Sequence, residues 1–218
     1  MTGTRMSPGQ IAEMVYRAGA APWDLGEPQP IICQLVALGA VKGNVLDPGC
    51  GTGWHAIEYA RAGCSVTALD VAPTAVHRAR TNARRAGVTV DFRQCDVTNL
   101  DAFEGHFDTV VDAKLYDNLD TAEDRLRYAS ALHRATRPGA RLLMYGFGPG
   151  EVNGVHNHLL DEPDYETVLP AAGFAITYIG QTTYLLKGFE RICAACPQQM
   201  PDGPVHIPMT EIHAIRLT

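Results

Sequence analysis

The sequence predicts a single α/β domain in which a mostly parallel sheet carries helices on both faces. Three observations predict it. Short apolar runs alternate with stretches of helical periodicity along most of the chain. The first run ends in a cluster of glycines that leads straight into a helix, as in strand–turn–helix ligand sites. The length of 218 residues, with 46% apolar and 19% charged side chains, suffices for one substantial core and not for two.

Residues 44–47 (NVLD) read as the first strand, and residues 54–62 as a helix stopped by Gly63. Residues 65–70 (SVTALD) form the next strand, and Pro73 opens a helix where its missing N–H costs nothing. That helix turns Ala75, Val76, Ala79, Ala83 and Ala86 toward the sheet and ends at Gly87. Residues 88–95 and 107–113 give the third and fourth strands. Residues 121–136 form a helix capped by Thr121 with Asp124. Residues 141–147 are a fifth strand, entered through a Pro138-Gly139 turn. Residues 174–184 and 211–217 are both strand-like with no room for a full helix between them, so they predict a terminal antiparallel hairpin. Residues 1–40, 148–163 and 187–208 lie outside the sheet as covers for a site on its top edge.

Charge and apolar patterning exclude several classes. Eighteen basic and 24 acidic residues leave a net charge of −6, which opposes a nucleic-acid partner. Residues 1–14 hold no apolar stretch fit for a signal peptide. The longest uncharged run, 168–186, contains Pro170, Gly173, Gly180, Gln181, Thr182 and Thr183, so it reads as loop and strand and no membrane span is expected. Six scattered cysteines without export features predict reduced thiols and a cytoplasmic location. Cys193 and Cys196 form a single CxxC pair, too little for a zinc site, and no metal is expected.

The informative stretch is VLDPGCGTG, residues 45–53. Gly49, Gly51 and Gly53 permit a sharp turn and let backbone approach a ligand at a helix N-terminus. A dinucleotide would fit such a loop, but Asp47 beside it would repel a pyrophosphate and would suit a cation. The sulfonium and ammonium groups of S-adenosylmethionine (SAM) are such charges. Asp70 ends the second strand, placed for ribose hydroxyls. Asp96 follows the third, between Cys95 and Val97, placed for an adenine amino group. Each acid alone could be a solvated cap; three at successive strand ends converge on one place.

VLDPGCGTG, VTALDVAP, QCDV and FDTVVDA together resemble the successive motifs of the class I SAM-dependent methyltransferases, over nearly the whole chain after about residue 21. The resemblance implies a Rossmann-like, seven-stranded sheet with its last strand antiparallel. It implies Gly49, Cys50 and Gly51 beside the methionine part of SAM, Asp70 on the ribose, and Asp96 and Val97 at the adenine. Asp112 or Ala113 would lie near the donor carbon, and Gly53, His55, Val71 and Cys95 complete the cofactor set. More narrowly, APWDLGEPQP (21–30), HRATRPGARL (133–142), LPAAGF (169–174) and VHIPMTEIHAIR (205–216) are similar to the thiopurine-methyltransferase-like branch and the heterocyclic toxin methyltransferases of mycobacteria. This likeness implies that Trp23 closes over the cofactor and that the substrate is a small aromatic heterocycle, hydroxyquinolone-like, flavonol-like or a thiol.

A sulfonium methyl group is already activated, so the protein mainly aligns the acceptor and excludes water. Where the acceptor must lose a proton, Tyr116, Asp117, His156 and His158 are the candidate bases. The alternatives stay open: Tyr116 as a packed aromatic, Asp117 as a helix cap, the histidines as exposed loop residues. Lys114 would suit an anionic acceptor, or stand at the surface. Tyr16, Trp23, Phe147, Phe189, Met200 and Met209 could line an aromatic pocket or fill the core beneath a loop. Rival readings are an NAD(P)-dependent oxidoreductase, which leaves Asp47 without a task, and a non-catalytic SAM-binding module. A nucleic-acid methyltransferase is disfavoured because residues 112–116 (DAKLY) lack the Pro-Pro-aromatic pattern for a flipped base. Oligomeric state, monomer or homodimer, is left open.

Overall fold

The computed structural model describes residues 6–147, 151–152, 155–156, 165–187 and 203–218, the two dipeptides as backbone only. Two helices, α1 (Pro8–Ala18) and α2 (Pro30–Ala37), precede β1 (Asn44–Pro48). Then α3 (Trp54–Arg61), β2 (Ser65–Asp70), α4 (Pro73–Ala86) and β3 (Asp91–Gln94) follow in alternation. The second half continues with β4 (Phe107–Ala113), α5 (Ala122–Ala135) and β5 (Thr136–Phe147). A small ladder pairs β6 (Glu151–Val152) with β7 (Val155–His156). The chain closes with α6 (Tyr165–Ala171), β8 (Phe174–Leu186) and β9 (Val205–Arg216).

Neighbouring residues on the central strands are both apolar, so each face of the sheet needs its own cover. Leu46, Val110, Leu142 and Met144 pack with α5 and α6. Val45, Val111, Leu143 and Tyr145 pack with α2, α3 and α4. Of the face expected from α4, Ala75, Val76, Ala79 and Ala83 are buried. Helix α1 carries a Ser7–Gln10 capping box, and its Tyr16 joins Ala72 and Ala75 of the α4 entrance in a third, smaller cluster.

The seven-stranded sheet has the order β3-β2-β1-β4-β5-β9-β8. Only β9 runs against its neighbours, so the antiparallel last strand and the terminal hairpin are both present. The chain steps outward from β1 in one direction and then returns to β4 on the other side. The carboxyl ends of β1 and β4 therefore flank the switch point, the place where open α/β sheets bind their ligands.

Three boundaries differ from expectation. The third strand is confined to Asp91–Gln94 because Val88 still belongs to the helix exit, its amide bonding to Ala83 O. The fifth strand begins at Thr136, not 141, and absorbs Pro138-Gly139 as an irregularity in its pairing with β4. The hairpin is longer than predicted, pairing as far as Leu186 with Val205, so residues 205–208 are strand and not cover. Among the described residues, no helix is long and apolar enough to cross a membrane, and no group of three His, Cys, Asp or Glu is disposed to hold a metal. Cys193, Cys196, Phe189 and Met200 lie outside the described residues.

Candidate active site

β1 delivers Asp47 to the switch point and the glycines then turn the chain into α3. Gly49, Gly51 and Gly53 all have positive φ, at 70°, 54° and 85°, which side chains with a Cβ resist. The turn is also crowded. A Cβ on Gly51 would stand 2.7 Å from Tyr16 Oη, and one on Gly53 would stand 2.8 Å from Ala79 Cβ and 2.9 Å from the Phe92 ring. Gly53 thus lets α3 pack against α4 and β3, while Gly49 lies against Leu115 after β4 and Gly51 beneath Tyr16 of α1.

The acids differ in what they hold. Asp70 accepts from the amides of Gly51 and Ala72, each at 2.8 Å, and so ties the glycine turn to the start of α4. Asp112 is fully buried and accepts from Leu115 N at 2.8 Å and the Tyr128 hydroxyl at 2.9 Å. Burial pushes its pKa up to about 7 against those donors. Asp47 is only 1% exposed, and its Oδ2 has no hydrogen-bond partner. Burial first, then Asp112 and Asp70, hold its pKa well above the usual carboxylate range, opposed by the Ala56 amide. Asp96 lies exposed past β3, its Oδ1 accepting from Thr98 N and Oγ1. Val97 is buried in the α5 layer, Cys95 is half-buried with its amide on Asp70 O, and Val71 is exposed. Ala113 ends β4 opposite Tyr145.

The segment between α1 and α2 covers the turn. Trp23 is 38% exposed and donates its indole N–H to Tyr16 Oη at 2.9 Å. Asp24 accepts from Thr52 Oγ1 at 2.9 Å. The Gln29 carboxamide bonds both N–H and C=O of Leu185, so the cover is fastened to the glycine turn and to β8. His55, in the first turn of α3, lies edge-on to Tyr184 at 6.4 Å. Burial depresses its pKa to about 4, so the imidazole is neutral at pH 7.

On the other side of the switch point, Tyr116 and Asp117 form a short turn after β4. Tyr116 is buried and stacks on Tyr165 of α6, with centroids 4.7 Å apart. The Asp117 side chain is 2% exposed. Its Oδ2 accepts from Phe147 N at 2.6 Å and its Oδ1 from the Tyr165 hydroxyl at 2.9 Å. A Cβ on Gly146 would overlap that hydroxyl, so glycine leaves the space for this link. His158 lies outside the described residues, and His156 is described as backbone only.

The switch point therefore gathers an unpaired buried carboxyl, a crowded glycine turn, further acids at strand ends and a fastened cover. Residues 45–139 match the model of a methyltransferase domain. The chain is 34% identical over 157 residues to the 2-heptyl-1-hydroxyquinolin-4(1H)-one methyltransferase of Mycobacteroides abscessus, covering 70% of this chain and 68% of that protein. The chain belongs to the methyltransferase family. This methyltransferase is also 30% identical over 188 residues to probable thiol methyltransferase 2 of Arabidopsis thaliana, covering 83% and 81% of the two chains. A solved structure concerned with converting a disulfide bond into a thioacetal group during echinomycin biosynthesis superposes with a TM-score of 0.77 at 29% identity, over 96% of this chain and 93% of that one. Other solved structures of the fold, at 21% and 22% identity, hold SAM or S-adenosylhomocysteine (SAH). The protein is a SAM-dependent methyltransferase.

Three features of the methyltransferase site escape the sequence. Tyr184 of β8 is buried within the field of Asp47, Tyr16 and Asp112, although its sequence context is an ordinary strand. The Asp24–Thr52 latch joins residues 28 positions apart. Tyr165 meets Asp117 across 48 positions. Asp24, an acid directly after Trp23 in the cover, was the one available signal among these.

Proposed function

We propose that this single domain moves a methyl group from SAM to a nucleophilic oxygen, nitrogen or sulfur of a small aromatic heterocycle. The observation that carries the reading is Asp47 Oδ2, a buried acceptor without a donor at the switch point. A carboxylate so placed is costly unless a cation or donor reaches it, and an amino-acid ammonium supplies both. When bound, SAM supplies a methyl group carried on positively charged sulfur.

The chain's own residues do the rest. Gly49, Cys50, Gly51 and Gly53 bring backbone close to the methionine part, beside the neutral His55. Asp70 and Val71 face the ribose side, and Cys95, Asp96 and Val97 the adenine. Asp112 and Ala113 set the floor near the reacting carbon. Trp23, held by Tyr16, covers the glycine turn and excludes water, which sharpens every charge interaction inside. Tyr116 on Tyr165 gives a flat aromatic wall suited to a heterocycle. Asp117 has both oxygens taken by protein donors, so we assign it to holding β4, β5 and α6 in register beside the acceptor. The assignment of acceptor class is supported by the hydroxyquinolone and thiol substrates in the names of the two relatives.

Incubation with SAM and a panel of hydroxyquinolones, flavonols and thiophenols is expected to yield methylated products from several members, read by mass spectrometry. Turnover of a compact aliphatic acceptor alone, with none of the aromatics, would overturn the reading.

A further inference from the structure

Among the described residues, Lys114 alone combines a side chain with a left-handed backbone, at φ 81°. That conformation strains any residue with a Cβ, and such strain persists where a site needs a particular side chain. The amide of Lys114 bonds Tyr145 O at 2.8 Å, which fixes the residue where β4 leaves the sheet. Its side chain turns inward and is 12% exposed. The ammonium is buried without a hydrogen-bond partner. It lies over the Phe147 ring and 3.6 Å from Asp117 Oδ2. That oxygen is already taken by Phe147 N and its twin by Tyr165. The ion pair and the Phe147 ring thus balance the charge without a short hydrogen bond to the ammonium. Burial lowers the Lys114 pKa to about 8, against the pull of Asp117 and Asp112.

Asp47 and Asp70 crowd the glycine turn, on the side that would hold a cationic donor. Lys114 stands beyond β4 with Asp117 and Asp112 near it, and it is the buried cation on the side left for the acceptor.

We propose that Lys114 is an acceptor-binding residue whose ammonium, steadied by Asp117 and Phe147, hydrogen-bonds the ionised oxygen, nitrogen or sulfur of an acidic aromatic acceptor. The proposal rests on methyl transfer to a small aromatic molecule and adds the charge state of that molecule. The acceptor enters as its conjugate base. Its lone pair forms the bond to the methyl carbon as the carbon–sulfur bond breaks, with that electron pair staying on sulfur. Lys114 keeps its proton and no base is required. N-hydroxy heterocycles, enolic flavonols and thiophenols satisfy this chemistry, whereas neutral amines do not.

The test uses the full chain saturated with SAH, titrated with 4-nitrophenol and 4-nitrothiophenol, whose anions are coloured, and with uncharged nitrobenzene. Wild-type protein is expected to lower the pKa of either bound acid by about one unit or more, the size of shift an adjacent opposite charge produces. Lys114→Met is expected to abolish that shift and weaken anion binding about 10-fold, with nitrobenzene unaffected; Lys114→Arg retains part of both. Lys114→Gly is expected to lose anion binding as well, with Tm lowered by less than in Lys114→Met, because relief of the strained backbone offsets part of the cost of leaving Asp117 buried and unpaired. A merely structural lysine predicts a lowered Tm with unchanged anion binding. That result, a wild-type shift persisting in Lys114→Met, or a wild type without preference for the anions would overturn the proposal. SAH affinity, measured in the same samples, separates the two levels: its absence in wild type overturns the donor site, and its presence without anion preference overturns Lys114 alone.

Discussion

An Asp47→Asn variant is expected to be more stable than the parent chain without ligand at neutral pH, and to bind SAH about 100-fold more weakly or worse. Both effects come from the same atom. Asp47 is buried, Oδ2 has no donor, and Asp112 and Asp70 add repulsion. Burial and the two neighbouring acids disfavour the charged form, so neutralising the side chain stabilises the free protein. The same change removes the counter-charge for the ligand ammonium. Urea unfolding and calorimetric titration with SAH measure the two effects; a variant less stable and equally competent for SAH would contradict the assignment.

The pH dependence follows with a definite sign. Asp47, Asp70 and Asp112 all have folded-state pKa values raised above those of the unfolded chain. The folded state therefore holds their protons more firmly. Their contribution is whole below about pH 4, the unfolded range, and is lost as pH rises through the folded values, about 7 for Asp112. Ligand-free stability should thus decline from about pH 4 toward 7, and Asp47→Asn should make that decline shallower.

Asp117→Ala is expected to lower stability by about 3–5 kcal/mol, the range for breaking a buried ion pair from one side. Three groups lose their partner at once: Phe147 N, the Tyr165 hydroxyl and the Lys114 ammonium. The residue joins β4, β5 and α6, so its removal also loosens the wall on which Tyr116 stacks. Asp117→Asn keeps one accepting oxygen but turns an amide N–H₂ toward a donor, and about 1–3 kcal/mol should be lost. If Asp117 positions the acceptor side, activity falls with stability and the pH–rate profile keeps its shape. A catalytic base predicts the opposite pattern: stability retained by the asparagine variant and one limb of the profile lost.

Local chemistry explains which parts of this molecule could be read from its sequence. The strand–glycine–helix unit at residues 44–61 is legible because the turn itself demands glycine, and the alternation of elements dictates covers on both faces. Asp47 was readable as a misfit to phosphate. The start of β5 was not, since Pro138-Gly139 signals a turn locally while pairing with β4 carries the strand through it. Asp117 was ambiguous for a related reason: the donors that occupy it come from residues 30 and 48 positions away. The inward course of Lys114 depends on a backbone angle that no local pattern of residue types announces.

The most direct measurement is a structure of the protein with SAH bound. The account predicts the ligand ammonium within about 3 Å of Asp47 Oδ2, lying across the glycine turn beneath Trp23. Finding the amine elsewhere, with that oxygen still unpaired, would contradict it.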